Sequence, residues 1–75
     1  AMNWPFSAWI ENQQLLCVTI VQRNKGRRTV FGRLLQVDTQ QRRVLVYDDD
    51  QKCLHHLQFN EIDDIQPMAE TIHSP

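Results

Sequence analysis

The spacing of apolar residues changes twice along the chain. Phe6, Trp9 and Ile10 fall at i, i+3 and i+4, which puts them on one face of a short helix over residues 3–13. Asn3 or Ser7 can cap this helix, and Pro5 suits its first turn. From Leu15 the period becomes two. Leu16, Val18 and Ile20 face one way and Cys17, Thr19 and Val21 the other, as expected of a first strand. Arg23-Asn24-Lys25-Gly26-Arg27 reads as a hairpin loop in which Asn24 and Gly26 can take positive φ. A second strand follows from Arg28 to Val37. Val37 lies three residues after Leu34, out of step with alternation, so the spacing predicts a bulge or sharp coil between Gly32 and Gln36.

Further turns divide the remainder. Asp38-Thr39-Gln40-Gln41 leads into a third strand in which Val44 and Val46 alternate with Leu45 and Tyr47. Asp48-Asp49-Asp50-Gln51 reads as a solvated turn before a fourth strand, Cys53 to Phe59. Asn60-Glu61-Ile62 fits one tight helical turn, and Asp64-Ile65-Gln66 a short closing strand ended by Pro67. The expected fold is mainly β: a small five-stranded antiparallel barrel over residues 15–66, a short N-terminal helix, and a flexible tail over 67–75.

Seventy-five residues allow a single domain near the lower size limit for one core, and such chains often gain stability from copies of themselves or from a partner. Cys17 and Cys53 lie apart in strand-like runs, which fits reduced thiols in a soluble, cytoplasmic protein. The net charge of −1 conceals two blocks. Residues 23–43 hold seven basic residues against Asp38, and residues 44–75 hold seven acidic residues against Lys52. The arrangement either steers an anionic partner or sets opposite charges across neighbouring strands.

The run Val18-Thr19-Ile20, Gly26, Val30-x-Gly32, Val37-Asp38, Arg43-x-Leu45-Val46 and Phe59-x-x-Ile62-x-Asp64-Ile65 resembles the YolD-like family. Its pattern is a hairpin, a G-x-[LI]-x-x-[VI]-D strand and a closing [LF]-x-x-I-x-D-I segment, in the order of the Sm-like barrels. The resemblance implies a small bacterial, phage or plasmid protein acting as an accessory partner of error-prone Y-family DNA polymerases in the SOS or stress response. The Sm-like order implies ring oligomers and RNA binding.

No enzyme signature is present. Ser7 and Ser74 lie near the ends with no base placed beside them. His55 and His56 leave a strand on opposite faces and cannot hold one metal together, while Cys53 and His55 share a face but lack a third ligand placed by spacing. No metal or other cofactor is therefore expected. Two binding surfaces are. Trp4, Phe6 and Trp9 form either a lid over the barrel end or a docking face for a protein partner, such as a polymerase or repair protein. Arg23, Lys25, Arg27 and Arg28 ring one loop, with Arg33, Arg42 and Arg43 expected on the same side, as a phosphate-binding patch for RNA or DNA. The aromatic face together with an exposed strand edge favours a protein-interaction module.

Overall fold

The computed structural model describes residues 3–69, and the expected tail beyond Ala69 lies outside them. One short helix, α1 (Phe6–Glu11), precedes five strands: β1 (Leu15–Gln22), β2 (Gly26–Asp38), β3 (Arg43–Asp48), β4 (Cys53–Gln58) and β5 (Ile62–Pro67). A single 3-10 turn, Phe59–Glu61, joins β4 to β5. All neighbouring strands are antiparallel, in the order β4-β3-β2-β1-β5. Among the described residues no helix is long and apolar enough to cross a membrane.

The helix is shorter than its apolar spacing suggests. Pro5, at φ −81° and ψ 66°, forms an inverse γ-turn in which the Phe6 amide donates to the Trp4 carbonyl at 2.9 Å, and no side chain caps the helix. At the other end Gln13 takes φ 51°, the Gln14 amide donates to the Trp9 carbonyl, and the Gln13 amide donates to the Ile10 carbonyl. This pair of bonds is a Schellman stop, built here on glutamine rather than glycine.

The strand alternation holds. Leu16, Val18 and Ile20 are fully buried, and Val30, Leu34, Val44, Val46, Leu57, Ile62 and Ile65 complete the strand part of the core. The first hairpin turns through Arg23-Asn24-Lys25, with the Lys25 amide bonded to the Gln22 carbonyl and Gly26 at φ 69°. Asn24 does not take positive φ, because a type I turn followed by one left-handed residue needs only Gly26 there.

The expected bulge is in place. Leu34 pairs with Val46 and Gln36 with Leu45, so Leu35 is the extra residue and Val37 returns to the core side. Gly32 sits where β2 presses on β3. A Cβ there would lie 1.9 Å from the Tyr47 carbonyl oxygen.

The sheet is curled but not closed. The ladders leave β4 and β5 at its two edges, so the expected barrel lacks a closing seam. Laid flat, five strands would separate those edges by about 19 Å. Three linking residues reach at most about 14 Å, so the sheet has to curl for the chain to pass from one edge to the other. The β2 bulge and a second irregularity between Thr19 and Ile20 supply bends for that curl.

Residues 67 and 68, expected to fray, are tied down. Pro67 pairs with Leu16, the Met68 amide donates to the Leu15 carbonyl, and the Gln14 side-chain amide donates to the Met68 carbonyl.

Candidate functional site

Four surfaces follow from this fold. The first lies beside α1. Trp9 is only 8 % exposed and belongs to the core, so it serves the lid and not an outward docking face. Phe6 stacks on Phe59 with centroids 6.0 Å apart and meets Trp4 and Trp9 edge-on. Trp4 and Phe6 stay half-buried and, with Ile10, Val37 and Thr39, line an open groove of about 590 Å³.

The second comprises the basic residues, which the topology divides. Arg23, Lys25, Arg27 and Arg28 sit around the first hairpin, whereas Arg42 and Arg43 sit at the second, beyond the far end of the 13-residue β2. The expectation that all seven share one side fails because β2 separates the two hairpins. Arg33, midway along, binds the Asp49 carboxylate and the Gln13 carbonyl. Arg27 pairs with Asp63 at 2.8 Å, and Arg28 donates to the Gln22 side-chain oxygen. Phe31, the aromatic residue of β2, pairs with Cys17 about 17 Å along the strand from Gly26 and so offers that hairpin no stacking platform.

The third goes beyond the two surfaces expected from the sequence. Asp48 faces Cys53 across the β3–β4 ladder, and Val46 faces His55. Alternation then puts Asp48, Cys53 and His55 on one face at the hairpin end. Asp48 is 3 % exposed, which corrects the reading of all three aspartates as a solvated turn. Its Oδ1 accepts the amides of Asp50 and Gln51, both at 2.9 Å, and its Oδ2 lies 2.9 Å from His55 Nε2. The Gln51 amide does most to hold the Asp48 carboxyl below its ordinary range, helped by His55 and the Asp50 amide and opposed by burial. Cys53 Sγ lies 3.7 Å from the same imidazole nitrogen. The ligand atoms of these three residues all lie within 4.8 Å of one another. The signal that finds this cluster is loop length. Four residues between Asp48 and Cys53 make them direct partners, and His55 follows two positions on.

The fourth is the pair of sheet edges. β5 carries Asp63, Asp64 and Pro67, the residue types that discourage pairing with another strand. β4, Cys53-Leu54-His55-His56-Leu57-Gln58, has no proline, lysine, arginine or carboxylate, and Leu54 is 50 % exposed.

No protein-family model matches the chain, and no curated protein or solved structure matches it significantly.

Proposed function

We propose that this chain is a non-catalytic protein-binding module that receives an extended segment of a partner along the free edge of β4. The observation that supports this most is the contrast between the two edges. β5 is guarded by charge and proline, and β4 by neither. An added strand would satisfy the outward backbone groups of Cys53–Gln58 and place alternate side chains over Leu54. The resemblance to the YolD-like family points to a Y-family DNA polymerase as the partner and to a cytoplasmic setting. The second reading, a nucleic-acid-binding barrel, is weakened by the distribution of the arginines between two hairpins and by their internal partners.

The test is a titration of the ¹⁵N-labelled protein with the Y-family polymerase of the same organism. The expected result is amide shifts centred on Cys53–Gln58, with affinity lowered about tenfold or more by Leu54→Lys. No binding at about 100 µM, or binding indifferent to Leu54→Lys, overturns the proposal. A parallel titration with single-stranded RNA and DNA at physiological salt decides the second reading. Binding lost in an Arg27→Ala/Arg28→Ala variant would replace the first reading with it.

A further inference from the structure

The β2–β3 and β3–β4 hairpins use one turn design. Each begins with aspartate, Asp38 or Asp48, and has glutamine three residues later, Gln41 or Gln51, whose amide donates to that aspartate's side chain. Each ends with a basic residue in the left-handed region, Arg42 at φ 55° or Lys52 at φ 59°. The β2–β3 hairpin makes this turn with an exposed Asp38, followed by Arg43 and Leu45. At the corresponding places the β3–β4 hairpin has Cys53 and His55, converging on a buried Asp48. The turn itself therefore requires neither the thiol nor the imidazole.

From this convergence we propose that Asp48, Cys53 and His55 form a three-ligand zinc site. The donor set is one carboxylate oxygen, one thiolate sulfur and one imidazole nitrogen. This mixture suits zinc, whereas calcium and magnesium require oxygen ligands throughout. A tetrahedral ion with ordinary bond lengths holds nitrogen and oxygen about 3.3 Å apart, and nitrogen and sulfur about 3.6 Å apart. The corresponding separations are 2.9 Å and 3.7 Å, so the carboxylate–imidazole pair has to open by about 0.4 Å, while the carboxylate oxygen and the sulfur, which lie within 4.8 Å, have to settle at about 3.6 Å.

The ion takes the place of the hydrogen between His55 Nε2 and Asp48 Oδ2. His55 binds as neutral imidazole with its proton on Nδ1, and Cys53 releases its thiol proton to solvent. Carboxylate and thiolate then neutralise the dication, which fits the buried position of Asp48. Water completes the coordination on the open side, where Cys53 is exposed. The bound ion clamps the turn joining β3 to β4.

The test uses chelator-treated full-length chain and cobalt(II) as an optical stand-in for zinc. The expected result is a thiolate-to-cobalt charge-transfer band that saturates at one ion per chain and is displaced by zinc, together with a zinc-dependent rise in Tm. Cys53→Ser removes the band and weakens zinc binding about tenfold or more. His55→Gln weakens binding comparably, and Cys17→Ser, on the other sheet face, leaves band and affinity unchanged. Near-UV circular dichroism verifies that each variant is folded, and His55→Gln decides the matter should Cys53→Ser unfold. A missing band at millimolar cobalt, saturation at one ion per two chains, or a band that survives Cys53→Ser overturns the assignment.

Discussion

Gly32→Ala tests the physical account of the sheet most directly. The added methyl would lie 1.9 Å from the Tyr47 carbonyl oxygen, 2.8 Å from its carbon and 3.2 Å from Asp48 Cα. Carbon and oxygen settle at about 3.3 Å or more, so β2 and β3 would have to part locally by more than 1 Å, roughly. A hydrogen bond near 3 Å does not survive such a shift. The bond from the Asp49 amide to the Phe31 carbonyl, 2.9 Å long, lies beside the clash. Losing one or two such bonds, at about 0.5–1.5 kcal/mol each, adds to the roughly 1–3 kcal/mol of an overpacked interior. The expected cost is about 3 kcal/mol, against a total stability of about 4–11 kcal/mol for a chain of this size. The corresponding fall in Tm is about 12–24 °C. Gly26→Ala is the control. Gly26 has φ 69° and nothing within 4 Å of its added Cβ, so only the left-handed backbone penalises alanine, by about 1 kcal/mol. Urea unfolding of the two variants, followed by tryptophan fluorescence, measures the difference. A Gly32→Ala cost no larger than that of Gly26→Ala would refute the close approach of β2 and β3.

Two further predictions concern the core and pH. Trp9→Ala removes a buried indole and should cost about 3–5 kcal/mol in urea unfolding, whereas Trp4→Ala, at a half-buried site, should cost clearly less; equal costs would put Trp9 outside the core. Glu61 accepts the Gln58 amide at 2.8 Å and the Gln22 side-chain amide at 3.0 Å, and the first of these does most to lower its carboxyl below the ordinary 4.5. A carboxyl lowered in the folded state binds protons more readily when unfolded. Its stabilisation is present above about 4.5 and is lost as pH falls through the lowered folded value. Glu61→Gln should therefore cost up to about 1 kcal/mol at neutral pH and progressively less as pH falls through the lowered folded value; a pH-independent difference in urea midpoint would contradict this.

The strands and the bulge after Leu34 were legible because each leaves a mark in local spacing. A period of two that slips by one residue calls for an extra residue. The stop at Gln13 was not legible, because glutamine seldom takes the left-handed region and nothing in its neighbours marks that conformation. Asp48 was hidden by its company. In a run of three aspartates the first differs only by facing inward, and that depends on register across the ladder. The division of the arginines was hidden for a related reason. Residues 28 and 42 are close in sequence, yet the length of β2 holds their hairpins apart.

The same topology reinterprets the charge blocks. Because β5 pairs with β1, the acidic C-terminal segment returns beside the basic first hairpin. Arg27 reaches across β1 to Asp63. The Gln22 side chain accepts from Arg28 through its oxygen and donates to Glu61 through its nitrogen, linking the two blocks through one amide. Midway along β2, Arg33 holds Asp49. The two blocks thus meet at short range in pairs, and the long-range field they would cast if kept apart is correspondingly reduced. Exposed pairs of this kind contribute about 0–1 kcal/mol each to stability, so their main effect is on how the surface looks to a partner. An anion approaching the first hairpin meets Arg27 already paired with Asp63 and Arg28 already held by Gln22, whereas a strand approaching β4 meets no lysine, arginine or carboxylate on that strand. The electrostatics and the edge chemistry therefore favour the same surface.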